Sequence, residues 1–132
     1  QQAADLLFLS SLSEELRDSD EVARAKPTST SSLLEQFTSR LDPAIHPRDL
    51  SSGQQLALVL AMQLVKNAPV VLLDEPTRGL DYEAKAALAE QLRMLASQRK
   101  TILVATHDDA FAKRVADRTI GMNLGQLSEV KI

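Results

Sequence analysis

Val70, Val71, Leu72 and Leu73 form an unbroken apolar run that stops at Asp74, Glu75 and Pro76. The run is too short for a helix and β-branched at its start. It predicts a strand buried on both faces, as strands of a parallel sheet are. Ile102, Leu103, Val104 and Ala105 form a second such run, followed by Thr106, His107 and Asp108. Between them, residues 82–99 carry Leu88, Leu92 and Leu95 on one helical stripe. Strand, helix and strand in that order predict a parallel pair with a crossover helix. Ligands of such sheets bind beyond the carboxyl ends of the strands, where Asp74 and Glu75 fall.

The remaining elements are placed by their punctuation. Ser11 and Glu14 have capping-box spacing and open a helix to about residue 25, before a polar break at 26–31. Ser32 and Glu35 repeat the pattern and predict a short helix over 32–41. Pro43 and Pro47 force an extended loop. A third helix is expected over 52–67, opened by the pair Ser52 and Gln55, with Leu56, Val59, Leu60, Leu64 and Val65 giving its apolar face. After the second strand, a helix is expected over 108–117. Residues 119–122 and 127–132 then read as a hairpin turning at Gly125, which could add an antiparallel edge.

Bulk properties narrow the class. The 132 residues suffice for one domain with a core. A net charge of -3 gives no reason to expect nucleic acid as a partner. Cysteine is absent, which excludes disulfides and thiolate metal sites. With no tryptophan, one tyrosine and three phenylalanines, the core must be aliphatic. The first residues show neither a basic start nor a long apolar stretch, so no signal peptide is visible, and Gln1 is no initiator. The chain is therefore expected to be a piece of a longer protein.

Two segments carry the chemistry. Leu50, Ser51, Ser52, Gly53, Gln54 and Gln55 open a helix, whose free N–H groups and positive dipole end favour an anion. Gly53 lets a phosphate approach the backbone, and Ser51 adds a hydroxyl. The plainer alternative is an N-cap worth roughly 1 kcal/mol. Asp74 and Glu75 are adjacent carboxylates suited to divided work: one orders the water shell of Mg²⁺, the other orients an attacking water. An Asp-Glu pair after a strand can also simply begin a turn. His107 could donate to a phosphate oxygen or be structural. Asp81 could be merely the cap of the next helix. The phosphate-cradling loop GxxxxGK[ST] is missing, because none of Gly53, Gly79, Gly121 and Gly125 precedes a lysine.

Taken in order, these segments resemble the second half of an ABC-type ATPase, the nucleotide-binding subunit of ABC transporters. Residues 50–54 match that family's signature motif, 70–75 its Walker B strand, Gly79, Leu80 and Asp81 its D-loop, and His107 its switch histidine. Gln1 or Gln2, with the count from Leu7 and Phe8 favouring Gln1, resembles the glutamine loop. Residues 74–81 are most similar to the energy-coupling-factor and cobalt-type importers of bacteria. Ser52 stands where the signature usually has its first glycine, and Leu56, Ala57 and Met62 replace basic residues common after it.

The resemblance implies an α/β, partial P-loop NTPase fold: a parallel sheet with flanking helices plus a helical subdomain, and no Walker A half. It implies residues 1–66 as glutamine-loop remnant, helical subdomain and signature helix, and 67–132 as the second half of the ATPase core. ATP and Mg²⁺ are the implied cofactors. Asp74 and Gln1 would serve the metal, Glu75 the attacking water, and His107 the γ-phosphate. Ser51, Ser52, Gly53 and Gln54 would contact the nucleotide held by a second ATPase subunit packed head to tail, and Asp81 would connect the two sites. A transmembrane coupling or permease subunit is the other implied partner, which places the protein peripherally on the cytoplasmic side of the membrane. The parent would hydrolyse ATP to drive transport, while the chain alone is expected to be inactive and to bind nucleotide weakly. Two alternatives differ in class: an ABC-fold ATPase of DNA maintenance or repair, which needs a coiled coil that no heptad run here supplies, and a non-catalytic half-domain acting as a partner protein.

Overall fold

The computed structural model describes residues 3–130, so the glutamine-loop candidates Gln1 and Gln2 lie outside the described residues. A 3-10 turn at Ala3–Leu6 precedes helix α1 (Leu12–Val22) and the short α2 (Ser29–Leu34). The loop that follows was expected to be extended, but it holds a second 3-10 turn at Pro47–Asp49. Helix α3 (Ser52–Leu64) then leads to strand β1 (Val70–Asp74), α4 (Tyr82–Ser97), β2 (Thr101–Ala105) and α5 (Asp109–Val115). Strands β3 (Thr119–Asn123) and β4 (Gln126–Val130) close the described chain. None of the described helices is long and apolar enough to cross a membrane.

The β1-α4-β2 unit forms as expected, with β1 and β2 parallel and Asp74 opposite Ala105 at their carboxyl ends. Its burial does not. Val71 is buried, and Leu73, Ile102 and Val104 are half-buried on the face toward the helices. The paired Leu72 and Leu103 are 70% and 62% exposed on the other face. The expectation of burial on both faces is therefore corrected: among the described residues, helices cover one side only. The hairpin β3-β4 is likewise a separate two-stranded sheet, not an edge of β1-β2. Its two-residue turn sets Leu124 and Gly125 at φ 48° and 77°, the positive pair that matches the twist of the flanking strands.

Helix boundaries and caps also move, and α3 ends at Leu64 rather than 67. Helix α1 ends at Val22, three residues short of the expected 25. The expected helix over 32–41 is instead α2 at Ser29–Leu34. Its start is set from a distance: the buried Asp20 carboxylate accepts from Thr30 N at 2.8 Å and Thr30 Oγ1 at 2.6 Å. Ser32, expected as the cap, donates its hydroxyl back to Thr28 O. In α3 the cap is Ser51, one residue before the expected Ser52. Its Oγ accepts from Gln54 N at 3.2 Å, and Gln54 Oε1 accepts from Ser51 N at 3.0 Å. Ser52 and Gln55 have the same spacing, but only Ser51 lies at the extended-to-helical junction where a cap acts.

The core is aliphatic, as composition requires. Ala57, Leu58, Leu60, Ala61 and Leu64 of α3 are buried with Leu88, Ala89, Leu92 and Leu95 of α4. Leu7, Leu12, Leu34, Phe37 and Leu50 join them from the helical side, and Val71 and Phe111 from the other. The buried stripe of α3 is thus rotated from the expected one, with Leu56 and Val59 only partly covered. Gln91 Nε2 donates to Phe37 O at 2.7 Å and ties α4 to the helical part.

Two carboxylates make this architecture testable. Replacing Asp20 by Ala removes a charged acceptor from two buried donors, and urea unfolding should show a loss of about 2–3 kcal/mol. Asp108 is held below its ordinary value of 3.8, first by the hydrogen bond from the Lys85 ammonium and then by the Phe111 N–H. A depressed acid stabilises the fold above its unfolded pKa and loses that contribution as pH falls through the folded one. Asp108→Asn should therefore lower the thermal midpoint at neutral pH. The gap from wild type should close as pH drops from 3.8 through the depressed value.

Candidate active site

Strand β1 ends in a conformation its sequence does not announce. Glu75 has φ 46°, in the left-handed region that costs a non-glycine residue about 1 kcal/mol. Two backbone bonds hold it there: Glu75 N donates to Ala105 O at 2.8 Å, and Glu75 O accepts from Arg78 N at 3.1 Å. The chain turns out of the sheet at this point. The half-buried carboxylate of Glu75 meets the loop that follows β2.

There the contacts converge. Glu75 Oε1 accepts from the His107 backbone N at 3.1 Å and lies 2.6 Å from His107 Nδ1. A carboxylate only accepts, so Nδ1 is the protonated ring nitrogen in this contact. Thr106 Oγ1 sits 3.5 Å from Glu75 Oε2 and accepts from Asp108 N at 3.1 Å. The imidazole itself is 90% exposed, so packing does not aim it. Asp74, the last residue of β1, is exposed beside this cluster in sequence. The structure thus brings Glu75 and His107 together, with Asp74 at the same strand end.

The helix-start residues form a second group. Ser51 and Ser52 are exposed at the N-terminus of α3, and Gly53 and Gln54 are half-buried. Ser51 Oγ and Gln54 Oε1 are engaged with each other's backbone in the capping box. Gly53 has a packing reason to lack a side chain: a Cβ there would lie 3.3 Å from Ala84 Cβ of α4. Asp81 caps α4, accepting from Ala84 N at 2.8 Å. Ser51, Gly53, Gln54, Leu80 and Ala84 line one small cleft of about 170 Å³. The signature-like and D-loop-like segments are therefore neighbours. The turn of residues 75–81, with Gly79 at φ 76°, joins them to the carboxylate cluster.

Two contributors were not singled out from sequence. Thr106 was visible only as part of the run ending β2. Lys85, whose Nζ lies 2.7 Å from Asp108 Oδ2, gives no sequence signal, because nothing in residue spacing pairs it with a residue on the following loop.

The donor chemistry suits a magnesium–phosphate ligand. Asp74 and Glu75 offer hard oxygens, and Mg²⁺ bound to phosphates takes one or two carboxylates and keeps its waters. Among the described residues, no three His, Cys, Asp or Glu side chains converge into a cage, and this mode of binding needs none.

Comparison with known proteins gives the chain a family and a fold. A family model described as "AAA domain, putative AbiEii toxin, Type IV TA system" matches residues 2–112. A "Putative ABC transporter ATP-binding protein" of Streptomyces coelicolor is 42% identical over 127 residues, covering 96% of this chain and 23% of its own length. The L-cystine transport system ATP-binding protein of Escherichia coli is 40% identical over 84 residues, covering 64% of this chain and 34% of its own length. The chain thus spans about a quarter of the first of these relatives and about a third of the second. A dimeric ATP-binding cassette solved in a post-hydrolysis state with ADP and Pi superposes with a TM-score of 0.75 at 23% identity, covering 99% of this chain and 61% of its own. The chain belongs to this AAA-domain family, and its fold is a partial P-loop NTPase fold of the ABC ATP-binding type.

Proposed function

We propose that this chain supplies the metal- and water-handling part of one ATP site and the signature part of another, in an ATPase that powers membrane transport. The observation that carries the reading is the contact of Glu75 with His107, made at the carboxyl ends of two parallel strands beside Asp74. The names of the sequence relatives support ATP binding and transport, and the solved cassette supports a dimer and a hydrolytic cycle.

In this reading Asp74 would hold Mg²⁺, with Gln1 as the further contributor that the resemblance implies. Bound Mg²⁺ would neutralise charge developing on the transferred phosphoryl group. Glu75 orients and polarises the attacking water. His107 donates to the γ-phosphate, and its contact with Glu75 holds both groups at the strand ends until nucleotide separates their tasks. Ser51, Ser52, Gly53 and Gln54 face the nucleotide of a second ATPase subunit, with Asp81 linking the two sites. The cleft shared by Ser51, Gln54 and Leu80 supports that link, because it seats the signature start against the turn before Asp81.

Residues 1–66 are assigned to the glutamine-loop remnant, helical subdomain and signature helix, and 67–132 to the second half of the ATPase core. The uncovered sheet face at Leu72 and Leu103 suits the remainder of such a core. A transmembrane coupling subunit is the second partner, at the cytoplasmic face of the membrane. The energy-coupling-factor or cobalt-type subfamily remains the reading for residues 74–81, within a family whose relatives include an amino-acid transport protein.

The test is made in the full-length ATP-binding protein. Glu75→Gln should reduce ATP turnover at least a hundredfold while MgATP binding stays within about threefold. Near-normal turnover would remove Glu75 from this role. Asp74→Asn should instead weaken Mg²⁺ binding, read as a rise in the Mg²⁺ concentration needed for half-maximal nucleotide retention.

A further inference from the structure

Lys85 is the fourth residue of α4, and its side chain leaves that helix for the loop carrying His107. Nζ donates to Asp108 Oδ2 at 2.7 Å, with both side chains partly shielded from solvent. Asp108 has further bonds. Its Oδ1 accepts from Phe111 N at 3.0 Å and caps α5, and its own N–H donates to Thr106 Oγ1 at 3.1 Å. Residues 106–108 are therefore gripped by Glu75 at the end of β1, by Lys85 on α4 and by the start of α5. The imidazole of His107 is almost fully exposed and is held by its contact with Glu75 Oε1, which this short loop brings within reach.

We propose that Lys85 is a positioning residue: acting through Asp108, it fixes residues 106–108 so that His107 Nδ1 and Glu75 Oε1 meet. The geometric part stands on the contacts alone. Its kinetic consequence rests on the ATPase reading above. A partly exposed ion pair is a modest restraint, and it adds to the bonds that Glu75 and the start of α5 already make to this loop. The depressed pKa of Asp108 fits a carboxylate that stays charged and paired at neutral pH. Lys85 makes no contact with Glu75 or His107 among the described contacts, and of the nucleotide contacts in this reading it affects that of His107 alone, so its loss should change nucleotide binding little.

The experiment compares Lys85→Met and Lys85→Arg with wild type in the full-length protein. Lys85→Met should lower kcat about fivefold with KM for MgATP within about twofold, and Lys85→Arg should restore most of the rate. A second readout does not depend on turnover. With ¹⁵N-histidine labelling, the Nδ1–H signal of His107, assigned by its loss in His107→Gln, should persist in wild type and Lys85→Arg. It should broaden away in Lys85→Met. Unchanged kcat, an effect on KM alone, no rescue by arginine, or a retained Nδ1–H signal in Lys85→Met would each overturn the proposal. Lys85→Gln takes the place of Lys85→Met if the latter does not fold. If wild type hydrolyses no ATP, the ATPase reading fails, and the histidine signal still decides the role of Lys85.

Discussion

Helix α3 has almost no free side, and the placement of both functional groups follows from that. Ala57, Leu58, Leu60, Ala61 and Leu64 are all buried, against the helical part at one end and α4 at the other. Each fully buried leucine contributes about 1.5–3 kcal/mol. The small residues let the helices approach: Gly53 faces Ala84, and Ala57, Ala61 and Ala89 are completely enclosed. This packing fixes the N-terminus of α3 relative to the N-terminus of α4. The signature-like start, Asp81 and Lys85 thereby share one rigid frame.

The carboxylate cluster depends on a local strain that this frame makes tolerable. Glu75 sits at positive φ because bonds to Ala105 and Arg78 close the turn around it. Such a conformation persists only where surroundings over-determine it, and it concentrates at sites of chemistry. Here it turns the Glu75 carboxylate toward Thr106 and His107. The histidine loop is itself tied back to α4 through Asp108 and Lys85. The start of α4 therefore joins Asp81, which caps the helix, to Lys85, which reaches the histidine loop.

Several features were legible beforehand for identifiable reasons. Strands β1 and β2 were announced by apolar runs, the hairpin by its turn at Gly125 and α4 by its leucine stripe, because these signals arise within a few residues. Where two local signals competed, sequence could not choose between them. Ser51–Gln54 and Ser52–Gln55 have equal spacing, and the extended backbone at Ser51 decided the outcome. Ser32–Glu35 lost to Asp20, which reaches Thr30 from another helix. Long-range capping of that kind leaves no local pattern.

The residue identities alone determined the strand-helix-strand order, the carboxylates at a strand end, the absence of a phosphate-cradling lysine and the family resemblance. Those follow from side-chain chemistry and spacing, which are properties of short segments. Only the tertiary structure decided that Glu75 and His107 touch and that Gly53 is spaced against Ala84. It also decided that Lys85 reaches Asp108 and that the sheet is covered on one face. Each of these joins segments far apart along the chain, and their meeting is set by how α3 and α4 pack.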